Sequence, residues 1–442
     1  MNPPPTGSPH AWQATSTRRA GTVTGIVLLA AAVLAARPDL AVLAVPVLLT
    51  SLWSGTGPTH PTTARLHEPD GETRAGELTA TLTLHPADTA PLTHLRIAAP
   101  GHRDTQTVIA TPPGTREIPL RLASVRTGTQ DTFDIAVRAY DTTGTWEQPP
   151  WNVHAPRRLV LPGTTPLGAV PLPDILRGLT GTHTSHRLGD GTELRDIHPF
   201  HPGDRLRRID WRTTARRSPD LEDLYVRRTF ATAEATAILI IDSRDDVGPD
   251  IRTWRGHAHP RPEDATSLDL ARHAAASIAH RLTQTGDRVT MEDLARRRRP
   301  LPPASGQRHL RRLTHALALA HPVDDRATSH TLRPPPLPAG AVVYLFSTLL
   351  DDDTTTLVRA WRTLGHRVVV IDTLPTLHPI HLPHLRLAWR ITRLERDDRI
   401  TTLQHTGTPV IHWSGHTPTR RRLEALAHRT RRRPATTPRS TP

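Results

Sequence analysis

Two apolar runs near the amino terminus form the strongest hydrophobic pattern in the chain. Residues 20–36 are almost entirely Ala, Leu, Val, Gly and Thr, and a second apolar run covers residues 40–53. Each run is shorter than the roughly 20 residues of an ideal membrane-spanning helix. Because the two runs follow each other around the polar residues 37–39, they predict a transmembrane helical hairpin over residues 20–54.

A cleaved secretory signal is the alternative interpretation, since Arg18, Arg19 and the small residues Ala35 and Ala36 flank the first run as they would in a signal peptide. Cleavage there would leave the second apolar run as an unexplained new amino terminus, which favours the hairpin. Arginines stand before the first run and an arginine-rich portion follows the second. The positive-inside tendency therefore predicts a plasma-membrane protein with both ends in the cytoplasm. Residues 1–19, rich in Pro, Thr and Ser, predict a disordered basic tail.

Residues 62–161 show a different pattern, in which short stretches alternate apolar and polar positions. Residues 78–84 and 133–137 are examples, and turn clusters such as Pro112-Pro113-Gly114 separate the stretches. Alternation with period two and a turn about every ten residues predicts a small antiparallel β-sandwich. Nothing in it has a catalytic pattern, so we interpret it as a spacer or docking module.

Residues 235–428 alternate apolar strand patterns with helical ones. Residues 236–241 form a continuous apolar run, typical of a strand buried on both faces of a parallel sheet. Ser267 is expected to cap a helix that carries apolar residues at helical spacing. The pattern predicts a doubly wound α/β domain, preceded by a connection at residues 162–234 and followed by a disordered Arg-rich tail at residues 429–442. The later alternating segments are 288–292, 310–320, 341–346, 354–364, 367–372, 385–395, 409–413 and 419–427.

Composition narrows the possible functions. With 442 residues the chain can form two or three domains. The absence of cysteine excludes disulfides, thiolate metal sites and a cysteine nucleophile. The formal net charge is +14 and no lysine is present, so all 56 basic residues are arginine. This is typical of a GC-rich genome, but it also permits attraction to anionic lipid or nucleic acid through Arg420–Arg422 and Arg431–Arg433. Four Phe and three Tyr offer little base stacking, so we expect no nucleic-acid partner.

The most distinctive segment is the run Pro-Gly-Asp-Arg-Leu-Arg-Arg-Ile-Asp-Trp-Arg-Thr-Thr-Ala-Arg at residues 202–216, here named the signature block. Pro and Gly predict a turn. We expect Asp204 to cap the short helical turn that follows and to pair with Arg208 four residues later. Ile209 and Trp211 are the expected apolar anchor of this charged segment.

The signature block resembles the signature of the bacterial family called domain of unknown function 58, whose members carry a von Willebrand factor A-like domain. His198 stands where the family usually has Arg, and Phe200 where it has Tyr, so any role of that Arg/Tyr pair is not expected here. The matching positions are Pro202, Gly203, Asp204, Arg208, Ile209, Asp210, Trp211, Thr214, Ala215 and Arg216.

The resemblance implies a von Willebrand factor A-like, Rossmann-type domain behind a membrane anchor and an immunoglobulin-like module. It also implies a non-enzymatic adaptor or scaffold that docks a MoxR-type AAA+ ATPase or its client, beside a transglutaminase-like membrane protein. Two roles remain open for the signature block itself: a buried cluster of ion pairs and tryptophan that holds the segment on the sheet, or a partner-binding surface. The residues expected to carry either role are Pro202, Gly203, Asp204, Arg208, Asp210, Trp211 and Arg216.

The end of the first strand is the expected place for a metal in an A-type domain, which uses an Asp-x-Ser-x-Ser pattern because a hard cation needs clustered oxygen ligands. Asp242 keeps the first position, but Arg244 and Asp246 replace the two serines, and Ser347 lies at the end of the fourth strand. An arginine in the site repels a divalent ion. We therefore expect no metal or cofactor at Asp242 and Ser347, and an Asp242 bonded instead to backbone or to Arg244.

Other motifs add little chemistry. His378, His381 and His384 recur every third residue in a proline-rich segment with no carboxylate or cysteine to complete a zinc site. The sequence has no phosphate-binding loop, Gly-x-Ser-x-Gly, kinase or metalloprotease motif, so an enzyme is not expected. Two alternatives to the adaptor remain: a divalent-cation-dependent adhesion-type protein, and a binder of anionic lipid or nucleic acid through the arginine clusters.

Overall fold

The computed structural model describes residues 10–52, 57–67, 74–86, 92–174, 176, 181–254, 260–295, 301–322, 334–414 and 417–431. Residues 1–9 and 432–442 of the two expected tails lie outside these residues, as does Trp53. The chain divides into an N-terminal unit, Met1–Val160 with Arg261–Asp264, and a C-terminal unit that holds the remainder.

The N-terminal unit begins with a two-residue strand β1 (Gln13–Ala14) and two helices, α1 (Ser16–Leu34) and α2 (Pro38–Leu52). Helix α1 is long and apolar enough to cross a membrane, whereas α2 is apolar but shorter. Pro38 and Asp39, expected in a turn, begin α2, because proline suits the first turn of a helix. The arginine at position 18 donates to the carbonyl of Ser51 at 2.9 Å, so the start of α1 lies beside the end of α2.

The rest of the N-terminal unit consists of antiparallel sheets. One sheet has the order β1-β9-β8-β4-β5, a second the order β2-β3-β6, and β7 pairs with β10. Alternate side chains of both larger sheets, such as Leu82 and Val137, enter one buried cluster. The strands are β2 (Thr63–His67), β3 (Glu77–His85), β4 (Leu92–Ala98), β5 (Thr105–Ala110), β6 (Arg116–Ala123), β7 (Gly128–Gln130), β8 (Asp134–Tyr140), β9 (Trp146–His154) and β10 (Arg158–Val160).

The C-terminal unit opens with a segment that sequence patterning missed. Strands β11 (His183–Pro199) and β12 (Tyr225–Ala233) form a long antiparallel pair within the region expected to be a connection. The glycines, threonines and charges of β11 give it no apolar alternation, and its register with β12 shifts three times. Between the two strands lie a 3₁₀ turn at Leu206–Arg208 and helix α3 (Trp211–Arg217).

The remaining strands of the C-terminal unit form a parallel five-stranded sheet in the order β14-β13-β15-β16-β17. Helices cover both faces: Leu239 of the second strand in this order packs with side chains from α4, α5 and α8, and Ile240 packs with side chains from α6 and α7. The elements are β13 (Thr236–Ile241), α4 (Ser267–Gln284), β14 (Arg288–Asp293), α5 (Gln307–Ala318), β15 (Val342–Ser347), α6 (Asp353–Thr363), β16 (Arg367–Asp372), α7 (Pro383–His405), β17 (Val410–His412) and α8 (Thr417–Arg431).

Two local expectations in this unit are corrected. Thr266, not Ser267, caps α4, and it forms a capping box with Asp269. Ser267 instead accepts a hydrogen bond from the backbone N–H of Val247 at 3.0 Å. Helix α7 continues ten residues beyond the expected end at residue 395, and its added turns pack against the unit through the buried side chains of Arg396 and Leu403.

Candidate functional site

Strand pairing and a tight turn position the signature block. The N–H of Asp204 donates to the carbonyl of His201 at 3.0 Å, and Gly203 in this turn has a φ of 101°, a value that favours glycine. The carboxylate of Asp210 accepts from the N–H of Thr213 at 2.9 Å and caps α3. That backbone hydrogen bond holds the pKa of Asp210 below its usual value. Thr214 is fully buried and fastens α3 to the sheet, since its hydroxyl accepts from the N–H of Tyr225.

Two expectations about this block are wrong. Asp204 does not cap the 3₁₀ turn, whose N-cap has no side-chain hydrogen bond. Asp204 also does not pair with Arg208, which instead forms an ion pair with Asp190 and donates to the carbonyl of Gly189 at 2.8 Å. The backbone is not a continuous helix between positions 204 and 208, so a spacing of four does not bring the two side chains together.

Trp211 is not the buried anchor that the sequence suggested. Its side chain is 61% exposed, and Leu206 in the same block is 68% exposed. Arg205, Arg207 and Arg208 converge on the single carboxylate of Asp190. The other expected site residues Pro202, Gly203 and Arg216 are exposed as well. The block therefore presents exposed apolar side chains and positive charge from a fixed backbone.

Arg212 and Arg216 carry this charge without compensation. Both are exposed, and within the part of the chain that the structure describes neither forms an ion pair. The signature block contains five arginines and two aspartates, of which Asp210 is committed to capping α3. The surface around Trp211 is accordingly positive.

A second polar group lies at the carboxyl edge of the parallel sheet, between β13 and β15. After β13 the chain forms β14 on one side of it and later forms β15 on the other side. The connections from β13 and β15 therefore diverge, and a crevice opens between these two strands. Ser347 donates to Asp242 there at 2.9 Å. Arg244 donates to both oxygens of Asp242, at 2.8 and 3.0 Å, and also contacts Asp351 at 2.8 Å and Asp353 at 3.0 Å.

The guanidinium of Arg244 thus occupies the centre of this carboxylate group, where an A-type domain would hold a cation. Burial lowers the pKa of Arg244, but the bonds to Asp242 and the charges of Asp351 and Asp353 raise it overall. Burial in turn raises the pKa of Asp351, against the opposing charge of Arg244. The remaining expected residue, Asp246, points elsewhere and accepts from the N–H of Leu268 at the start of α4.

A neighbouring network at the end of β16 was missed by sequence reasoning. The carboxylate of Asp372 forms an ion pair with Arg396 and accepts from His412 at 3.0 Å. Burial raises the pKa of Asp372, but the hydrogen bonds of His412 and Arg396 and the charge of Arg396 outweigh it, so the pKa lies below its usual value. Arg396 also donates to the carbonyl of Thr348 at 2.8 Å, which ties α7 to the end of β15.

The structure also brings together His198, His201 and Asp204. One ligand atom from each lies within 4.8 Å of the others, the one such group found among the described residues. The sequence contains a signal for this group, the spacing His-x-x-His-x-x-Asp at positions 198, 201 and 204. His378, His381 and His384, whose spacing looked more regular, do not form such a group.

One of the three comparisons with known proteins, the one with protein-family models, finds a match. Nothing among the curated proteins and nothing among the solved structures matches the chain. Residues 196–382, which contain the signature block, the Asp242 edge and most of the parallel sheet, match the model of a protein family. That family is described as protein of unknown function DUF58, and the match supports the resemblance of the signature block to it.

Proposed function

We propose that this protein is a membrane-anchored, non-enzymatic adaptor that docks a protein partner through the signature block. The observation that carries the proposal is Trp211, a large aromatic side chain exposed on a short helix whose backbone Asp210 and Thr214 hold in place. Tryptophan and arginine are the residue types most enriched among the energetically dominant contacts of protein interfaces. A rigid, exposed tryptophan beside Arg212 and Arg216 is suited to a partner surface with an apolar pocket and an acidic rim.

The sheet edge supports a domain of the von Willebrand factor A type that works without a bridging cation. Asp242 and Ser347 meet at the crevice between β13 and β15, where such domains hold a metal, but Arg244 already satisfies the carboxylate. A guanidinium and a divalent cation would compete for the same oxygens. The proposal therefore assigns docking to the signature block rather than to metal-mediated contact at Asp242.

The membrane anchor is the hairpin of α1 and α2. Apolar side chains on both helices are exposed, among them Val27 at 59% and Val42 at 72%, and a lipid environment would cover them. Strand β1, which precedes α1, pairs with β9 of the sandwich that follows α2. Both ends of the hairpin therefore belong on one side of the membrane, which together with the flanking arginines supports a cytoplasmic position for the soluble portion.

The partner that we propose is a MoxR-type AAA+ ATPase or its client, near a transglutaminase-like membrane protein. Full-length protein carrying an affinity tag would be used to capture partners from detergent-solubilised membranes. We expect an AAA+ ATPase with the wild type and its loss with Trp211→Ala, because truncating an interface tryptophan costs about 2 kcal/mol or more, or about 30-fold in affinity. Arg212→Ala with Arg216→Ala should weaken capture in a salt-dependent way.

Two control substitutions are matched to these variants: one removes an exposed apolar side chain and the other an exposed arginine. Leu364→Ala removes a side chain that is 72% exposed on the same unit, and Arg359→Ala removes an exposed charge of α6. Both should retain the partner. Recovery of no AAA+ ATPase, with or without EDTA, or equal capture by all variants, would contradict the proposal. A reporter fused at Pro442 that is active in the periplasm would contradict the topology.

A further inference from the structure

The turn that opens the signature block gathers three side chains of metal-ligand type. His198 is in the last residues of β11, His201 begins the turn and Asp204 ends it. The Nε2 atom of His198 lies 3.7 Å from Oδ2 of Asp204, and the two imidazole centroids are 5.5 Å apart. The three ligand atoms thus surround a common point at the protein surface.

The backbone fixes this arrangement. His198 pairs with Val226 in the β11–β12 register, so the first ligand is held by the sheet. The turn through Gly203 returns the chain, and Oδ2 of Asp204 accepts from the N–H of His201 at 3.0 Å. Two ligands on one tight turn beside a third on a paired strand lose little conformational entropy when an ion binds.

Hydrogen bonding leaves ring nitrogens available for an ion. Nε2 of His198 is buried from solvent and has no hydrogen-bond partner, an expensive state for a polar atom. Nδ1 of His201 lies 2.7 Å from the carbonyl oxygen of Pro199, which can only accept, so Nδ1 donates there and Nε2 is the ring nitrogen left to bind an ion. Metal-binding histidines characteristically donate their other N–H to a carbonyl in this way. His201 is exposed, so its ring has room to turn toward an ion.

The charges around the turn favour a borderline metal over a hard one. Asp204 supplies the carboxylate, and Arg228 lies 3.9 Å from its other oxygen, Oδ1. A single carboxylate opposed by an arginine is a poor site for Mg²⁺ or Ca²⁺, which need several oxygen ligands. Two imidazoles and one carboxylate form a ligand set that Zn²⁺ uses in sites that keep a fourth coordination position open.

We propose that His198, His201 and Asp204 form a Zn²⁺ site in the signature block, with a fourth coordination position open to water or to a side chain of a partner. Zinc bonds of about 2.0–2.1 Å in a tetrahedral site place ligand atoms about 3.3 Å apart. The ligand atoms of the three side chains lie within 4.8 Å of one another, so they would have to move closer together when the ion binds. Pro202 and Gly203, exposed in the turn, leave the fourth position accessible.

The test uses the purified full-length protein in detergent, freed of metal by chelation. Co²⁺, which substitutes for Zn²⁺ and gives visible d–d absorption in a tetrahedral site, is titrated and then displaced with Zn²⁺. We expect one equivalent of Co²⁺, displaced by Zn²⁺ but not by Mg²⁺. His198→Gln, His201→Gln and Asp204→Asn should each weaken binding on the order of 100-fold or more, since loss of a partner outside the ligand shell already costs 10- to 100-fold.

The matched control removes the same residue type elsewhere: the triple variant His378→Gln, His381→Gln, His384→Gln should bind Co²⁺ as the wild type does. Because His201 is exposed, we expect its substitution to leave the fold intact, which keeps the test valid if a change at His198 unfolds the turn. Absence of one-equivalent binding, binding that survives His201→Gln and Asp204→Asn, or binding lost in the control would overturn the site. No partner takes part in the titration, so its outcome is independent of the docking proposal.

Discussion

Replacing Arg244 tests whether its guanidinium holds the carboxyl edge of the parallel sheet together. The Arg244 side chain is 21% exposed and that of Asp242 is 8% exposed. In Arg244→Ala, Asp242 keeps the hydroxyl of Ser347 but loses two charge-assisted hydrogen bonds, each worth about 1.5–3 kcal/mol before water replaces part of them. Breaking a buried ion pair costs about 3–5 kcal/mol. Since this pair is partly solvated, we expect the free energy of unfolding to fall by about 2–4 kcal/mol.

The chain offers a closely matched control in Arg252, which contacts both oxygens of Asp250 two residues earlier, as Arg244 does with Asp242. The Arg252 side chain is 59% exposed and its ion pair is screened by water, so Arg252→Ala should lower the free energy of unfolding clearly less than Arg244→Ala does. Urea unfolding of the full-length protein in detergent, followed by tryptophan fluorescence, reports on the unit through the buried Trp361 and Trp413. Equal losses in the two variants would refute the reasoning.

A second substitution at the same position tests whether the arginine stands in for a cation. Arg244→Ser leaves the oxygens of Asp242, Ser347 and the new serine around a vacated space. Mg²⁺ should then stabilise the variant, by about 2.7 kcal/mol at 100 times its Kd, and leave the wild type unchanged. Stabilisation of the wild type by Mg²⁺ that Asp242→Ala removes would instead favour the cation-dependent adhesion-type function.

Two further predictions concern the helices and the Asp372 network. The chain has no cysteine, and a Cβ at Gly21 would lie 3.9 Å from the Cβ of Ser51, which is a separation found in disulfides. The double variant Gly21→Cys with Ser51→Cys should therefore cross-link under mild oxidation, whereas Val23→Cys with Ser51→Cys should not. Cross-linking by both pairs would contradict the contact between the helices. The depressed pKa of Asp372 stabilises the fold above the unfolded value of about 3.9, and this contribution is lost as pH falls through the lower folded value. Arg396→Met should therefore cost most near pH 7 and progressively less toward pH 3 in urea unfolding, and a cost that does not change with pH would count against the network.

Sequence patterning was most informative where a segment repeats its own local period. The apolar run at 236–241 and the spacing of the α4 residues identified a strand and a helix because each element buries one periodic set of side chains. The strand β11 was not predicted because its hydrogen bonds go to β12, whose paired residues are 26 to 50 positions later in the chain, and its side chains have no alternating pattern. Secondary structure that depends on a distant partner leaves a weak local signal.

The partners of charged side chains were less predictable from the sequence than the helices and strands. The spacing of Asp204 and Arg208 suggested a local ion pair, but Arg208 pairs instead with Asp190 of strand β11. Arg244 reaches Asp353, more than one hundred residues later. Long side chains choose partners by proximity after packing, so their partners follow from the fold and not from spacing along the chain.

The sequence alone determined the apolar runs that become α1 and α2, the lack of cysteine and lysine, the strands and helices of the parallel sheet, and the signature block within the residues that match the family model. Those features depend on composition or on backbone hydrogen bonding within a short window. Tertiary structure alone decided that Trp211 is exposed, that Arg244 closes the edge at Asp242, and that His198, His201 and Asp204 meet. These depend on which surfaces come together when sheets and helices pack, and burial and contact are properties of the whole fold.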